Sequence, residues 1–459
     1  MTDSANIALK PEAFKLPAYT ENARLRLATG TLLYFAQGLA QGLFFIAIPS
    51  WLAANGQSAG VVGSFIAAVS LPWSLKVLIG GLVDRYGFLP MGRRRAWLIA
   101  AQTCLIISLA AFALRSPLPS ELTTIIIFGT ILSTMTAVQD VALDAMIIDL
   151  TPKTELGQIN GFMLGGKVFG IAGGGALAAY FMEFHSFATA MFVVACLFSI
   201  PAFFAILVRE RKGERLFPWT DGAASQESIE IKPDAWWPVL RETFKGVLLR
   251  RDPLLIIGLC IFYGMHQGIF EATLPVYVVQ ELGWGETGYA SLSGIGGLVA
   301  GGAGIFVGGW LTDKLGPAKV ALWSAGLAAI GLAGFVALGL NFGSDLVFSA
   351  WYLLVAVIVL GFYLSMITLG MRVCERHVAA TSYALMMGSM ALGLMLGAGS
   401  VGFLDQIGGY TALLTAAIVT ILVSAGMSLG LSPSTGGPAA SEPEHKQLDK
   451  QEHKTRQRS

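Results

Sequence analysis

The chain has 459 residues, of which 54% are hydrophobic and only 13% charged, and its mean hydropathy is +0.66. An average soluble protein carries roughly 25% charged residues, so the means of covering a water-facing surface is about halved and a soluble multidomain protein is excluded. A net charge of +1 speaks against general nucleic-acid binding, and the four cysteines (Cys104, Cys196, Cys260, Cys374) show neither metal-ligand spacing nor a disulfide framework.

In chain order, residues 1–27 form a polar N-terminal segment with no signal peptide ahead of the first apolar run, so the first span itself should target the chain. A spanning helix needs about 20 apolar residues. Such runs cover 29–53, 60–83, 96–114, 122–150, 156–182 and 186–208, making a first bundle over 28–208. A polar loop follows at 209–252. Its end, around 235–250, carries Trp236 and Trp237 and reads either as an interfacial amphipathic helix or as an ordinary linker. Further runs at 253–279, 287–311, 318–340, 346–372, 381–403 and 409–431 make a second bundle over 253–431, and 432–459 reads as a disordered tail. The expected fold is an all-α membrane protein of twelve transmembrane helices in two six-helix halves.

Charge sets the expected orientation. All but three of the 30 lysines and arginines fall in the termini, the middle loop and the even-numbered connections; the exceptions are Arg115, Lys76 and Lys167. By the positive-inside rule both termini are cytoplasmic. The histidines (His185, His266, His377, His445, His453) form no HExxH, and GxSxG is absent, so an enzyme or a metal centre is not expected.

The halves repeat one another. QGLFFIAIP (Gln41–Pro49) matches QGIFEATLP (Gln267–Pro275), and GGLVDRYG (Gly80–Gly87) matches GGWLTDKLG (Gly308–Gly316). The fourth and fifth spans of each half also share one hydropathy rhythm.

GGLVDRYG resembles the signature loop of the major facilitator superfamily, which implies two six-helix repeats around a midplane site. By that resemblance Gly80, Gly81, Asp84, Arg85, Gly87, Arg93 and Arg94, with Gly309, Asp313, Lys314 and Gly316 in the second half, form a conformational gate. Gly80 and Gly81 would let helices approach, and Asp84 would face a helix N-terminus across the halves.

Ionisable groups inside a membrane cost at least ~2.5 kcal/mol each on insertion scales. At 1.5 Å per residue, Lys76 lies roughly 12 Å from the cytoplasmic end of its span, Asp144 roughly 9 Å, Asp140 roughly 15 Å and Lys167 roughly 18 Å. Two acids on one helix face and two bases at overlapping depths read as a proton-coupling or ion-pair network. Tyr34, Gln37, Gln41, Gln139, Gln267 and Glu271 supply polar cavity contacts, joined by His266, for which packing is the plainer reading.

The string VQDVALDAMIIDLTP (Val138–Pro152), with Lys76 ahead of the Asp-Arg pair and Lys167 in the fifth span, resembles the AmpG-like permeases, which import anhydro-muropeptides across the Gram-negative inner membrane. The resemblance implies proton-coupled import of a small amphipathic solute by a monomer, with no cofactor beyond the proton gradient. Related branches carry siderophores or acyl-coenzyme A compounds. A drug antiporter would show a Gly-Pro element in the fifth span, where this chain reads GGKVFGIAGGG. A non-transporting assembly factor would have little use for four buried charges. AmpG proteins with extra spans beyond twelve are known, and none is visible here.

Overall fold

In a bilayer every backbone polar group must be satisfied internally, so long apolar runs become helices. The computed structural model describes residues 18–152, 155–230, 249–340, 342–373 and 379–432, with 238, 241, 245 and 435. Trp236, Trp237 and the ends of the chain lie outside the described residues. Six helical rods build the first half: α1 (Ala23–Ala54), α2 (Ala59–Ser74 and Lys76–Arg85), α3 (Arg95–Arg115), α4 (Leu122–Leu150), α5 (Leu156–Phe184) and α6 (Phe187–Leu207). The second half has α7 (Arg251–Val276, prolonged by a π turn to Glu281), α8 (Glu286–Ala303, a π turn, then Gly309–Leu315), α9 (Pro317–Ala337) and α10 (Asp345–Val373). The last helical run, Ala379–Ser428, breaks at Gly408–Gly409, where Gly409 takes φ +56°, and divides into α11 (379–407) and α12 (410–428).

Among the described residues nine helices are long and apolar enough to cross a membrane, ten with the bent α2. That is short of the twelve expected for two reasons. The α11–α12 run is one of the nine despite its break. The first piece of α8 is diluted by glycine and serine and ends at a π turn.

The halves are built alike. A methyl on Gly38 or Gly42 of α1 would collide with the backbone carbonyls of Lys167 and Ile171 on α5. One on Gly264 or Gly268 of α7 would collide with those of Met390 and Leu394 on α11. The glycine pairs share the register of the QGLFF/QGIFE repeat, so the repeated glycine sets a backbone-to-backbone contact in each half.

The face carrying Arg26, Arg93–Arg95 and Arg209–Arg215 is here called the basic face. Away from it the halves close on each other. A Cβ on Gly60 would come within 2.8 Å of the Gly402 Cα, Gln280 donates to the Ala53 carbonyl at 2.8 Å, and the Thr287 amide donates to Glu183 at 2.7 Å. Closer to the basic face the seam loosens: Gly388 still meets Ser74, but Gly301 is 3.9 Å from Val168, and Gly161 and Gly165 meet nothing within 4 Å. The cleft therefore opens toward the basic face.

Candidate translocation site

Pro72 bends α2. Its ring removes an amide donor and crowds the preceding turn, and the two pieces of α2 meet at 42° around Leu75. Lys76 is the first residue past the bend, two residues beyond Ser74, whose carbonyl faces Gly388 of α11 across the seam between the halves. Its ammonium ion-pairs with Asp140 of α4. The Asp140 side chain is 4% exposed and that of Lys76 19%. Gln37 of α1 donates to the other Asp140 oxygen, and Tyr34, one turn back, donates to Asp144 at 2.5 Å. Two turns of α1 thus satisfy two acids spaced one turn apart on α4.

Gln139 plays a different part from the cavity contact expected of it. It is buried, donates to the Leu33 carbonyl at 2.7 Å and accepts from Gln102 at 2.9 Å, stapling α1, α3 and α4 together. Lys167 departs from expectation in another way. It lies within electrostatic range of Asp140, Asp144 and Lys76, yet makes no ion pair among the described residues. The network of two acids and two bases is therefore one ion pair, one tyrosine–carboxylate hydrogen bond and a separate lysine. Gln41 stands one turn further along α1 and is half-buried.

In the second half Gln267 donates to Glu271 at 2.8 Å, joining the two residues that sequence had grouped. His266 turns away from them: buried, its Nδ1 sits 2.9 Å from the Ala417 carbonyl of α12, a packing bond. Sequence reasoning passed over the tyrosines. Tyr263 stacks on Tyr363 at 6.0 Å, Tyr352 faces Phe270 at 6.5 Å, and Tyr289 is buried in α8. Hydroxylated aromatics at spaced positions within otherwise apolar runs were the available signal. A hollow lined by Tyr277, Leu282, Phe342 and Phe348 lies in the second half, apart from these charges.

The gate residues assemble mostly within one half. Asp84, expected to face a helix across the halves, pairs with Arg94 at 2.5 Å, and Arg94 reaches Asp149 at 3.7 Å and the Val83 carbonyl at 2.9 Å. Gly80 meets Val141 only at 3.9 Å, so the close approach expected there is not made in this conformation, and Gly81 lies beside it in α2. A Cβ on Gly87 would meet the Arg93 carbonyl at 2.9 Å. Arg93 donates to the Asp84 carbonyl, and the exposed Arg85 lies over Tyr86. In the second half Gly309, Asp313 and Lys314 sit on the last piece of α8, Lys314 over Trp310, and Gly316 ends it at φ +87°.

The missed anchor is Glu210, just past α6. Its carboxylate accepts the backbone amides of Arg93, Arg94 and Arg95 at 2.9, 2.6 and 2.5 Å, tying the α2–α3 loop to the end of α6. Burial raises the Glu210 carboxyl. Burial together with the Glu210 charge pushes Glu214 up to about 7.

Two like halves, a cleft between them and ionisable groups at its closed end define a multi-pass membrane transporter. The chain belongs to the Major Facilitator Superfamily, whose profile matches residues 30–398. It is similar to the AmpG 4 protein of Rickettsia felis, 26% identical over 373 residues that cover 79% of this chain and 85% of that one. It is 25% identical over 292 residues to the anhydromuropeptide permease of Escherichia coli K12, covering 63% of this chain and 56% of that protein. Among solved structures, a D-xylose–proton symporter superposes with a TM-score of 0.67 at 14% identity, covering 91% of this chain and 99% of the symporter.

Proposed function

We propose that the protein is a monomeric, proton-coupled importer of a small amphipathic solute, an anhydro-muropeptide being the leading class. It would work in a bacterial inner membrane with the basic face toward the cytoplasm. Arginine-rich loops on that face support the orientation, and the name of the Escherichia coli relative supports the solute class. The observation that carries the reading is the pair of contacts Lys76–Asp140 and Tyr34–Asp144 within the membrane span, next to the Ser74–Gly388 contact between the halves. In this conformation the closed seam lies away from the basic face, which makes the present state inward-open. Asp144, whose one described hydrogen bond comes from a neutral tyrosine, takes the coupling proton from outside. Asp140, matched by Lys76, holds α2 against α4 while the halves rock around the site.

The test uses proteoliposomes loaded with an acid-outside pH gradient and a labelled anhydro-muropeptide. The wild type should accumulate solute above equilibrium. Asp144→Asn should lose accumulation but keep exchange of labelled for unlabelled solute, since exchange needs no net proton movement. Asp140→Asn should lose both. Accumulation by Asp144→Asn at the wild-type level would remove the proton role, and equal wild-type uptake with and without the gradient would point to a facilitator.

A further inference from the structure

Assigning contact partners to the charged groups of the site leaves two of them incompletely met. Lys76 has Asp140 and Asp144 has Tyr34. Lys167, on the first half, has no ion-pair partner among the described residues. Glu271, on the second half, takes one hydrogen bond from Gln267 on Oε1, and its Oε2 is buried with no hydrogen-bond partner among the described residues. A buried charge stranded in this way is costly unless something else completes it.

These two residues are not demanded by the fold. The Lys167 carbonyl packs on Gly38 of α1 as the Met390 carbonyl packs on Gly264 of α7, so the counterpart of Lys167 in the second half is Met390. The counterpart of Glu271 in the repeat is Phe45. Each half carries a charge where the other is apolar, and the signs are opposite.

Both charges lie near α8 of the second half: its Gly294 and Gly301 face Ala172 and Val168 of α5, and its Ser293 accepts from Tyr352, which faces Phe270 next to Glu271. Lys167 lies within electrostatic range of Lys76. Lys76 in turn senses Tyr363, which stacks on Tyr263, and Tyr263 senses Glu271. Tyr289 and Tyr352 are also within electrostatic range of the same carboxylate. An aromatic wall beside a lone carboxylate suits an ammonium group, which gains from both the ring faces and the charge.

We propose that the transported solute is amphoteric, placing an anionic group on Lys167 and an ammonium group on Glu271 so that one molecule bridges the two halves. This rests on the transporter reading above and names the charge pattern of its solute. The charge balance agrees with it: two lysines against Asp140, Asp144 and Glu271 leave one negative charge, which a neutral zwitterion does not change and one proton cancels. The transported complex is then neutral with one proton per solute.

The test measures binding of matched probe sets to the purified full-length chain by titration calorimetry. One set is an anhydro-muropeptide with a free side-chain amine and carboxylate, its N-acetylated form and its carboxamide. A second and third set make the same three forms of a simple peptide and of an amine-bearing hydroxamate siderophore. The wild type should lose about tenfold or more in affinity on either modification. Glu271→Gln should cease to distinguish amine from N-acetyl while still distinguishing carboxylate from carboxamide, and Lys167→Gln should do the reverse. Because the readout is a selectivity ratio within one variant, a general loss of stability does not imitate it. Charge selectivity toward a set other than the muropeptides would overturn the muropeptide reading and leave the amphoteric one standing. Equal wild-type binding of the three forms, or variants that keep both discriminations, would overturn the amphoteric proposal. Silence of the wild type toward all three sets would count against both.

Discussion

Replacing Lys76 by methionine keeps the unbranched apolar stem and removes the ammonium group with its charge. Asp140 would then keep the Gln37 hydrogen bond while its own side chain stays 4% exposed. Removing one partner of a buried pair costs ~3–5 kcal/mol, because the remaining charge is left uncompensated. Two features place this site at the low end. The Lys76 side chain is 19% exposed, so water reaches the site from that side, and Lys167 remains within electrostatic range. The expected loss is about 3 kcal/mol. At roughly 2–4 °C per kcal/mol for a unit of about 200 residues, the melting midpoint in detergent falls by roughly 6–12 °C. Adding Asp140→Asn removes the stranded charge and should restore stability to within about 1 kcal/mol of wild type. Melting followed by tryptophan fluorescence reads both steps, and solute uptake should be lost in the single and the double variant alike. A single variant that melts like wild type, or a double variant less stable than the single, would refute the reasoning.

Two further outcomes follow from the closed seam and the basic-face anchor. A Gly60→Val side chain has no room in the closed seam, where a Cβ would come within 2.8 Å of the Gly402 Cα, so this variant should lose most of its uptake while melting near wild type; uptake at the wild-type rate would show that this seam does not need to close. Glu214, lifted from an ordinary 4.5 to about 7, binds its proton more tightly in the folded protein than in the unfolded one. Its contribution to anchoring 209–230 is therefore complete below about pH 4.5 and lost as pH rises to about 7, so amide-exchange protection there should fall over that window, and Glu214→Gln should flatten the fall.

Much of the architecture was legible because its causes are local. Long apolar runs have one low-energy solution in lipid, and the repeat QGLFF/QGIFE carries the glycine that packs α1 on α5 and α7 on α11. Asp140, Asp144, Lys76 and Lys167 stood out because a charge within an apolar run is expensive. Their pairing was not legible. Spacing puts both acids on one face of α4, but which base reaches which acid depends on the bend at Pro72, and that bend gives Lys76 to Asp140 while Lys167 stays apart. Glu210 was passed over because its three amide partners lie over a hundred residues away in sequence. The Asp84–Arg94 pair was not legible either, because it depends on how the α2–α3 loop folds back against the end of α2.

By itself the sequence determined the solvent, the repeated halves and the short set of charges that topology does not require, since each follows from the cost of placing a given side chain in lipid. Only the tertiary structure decided how those charges are divided. Direct ion pairs and hydrogen bonds need their atoms within about 4 Å, and the bend of α2, the register of α1 on α4 and the closed seam bring some groups inside that distance and hold others beyond it. Lys167 and Glu271 are the two left outside it, one on each half.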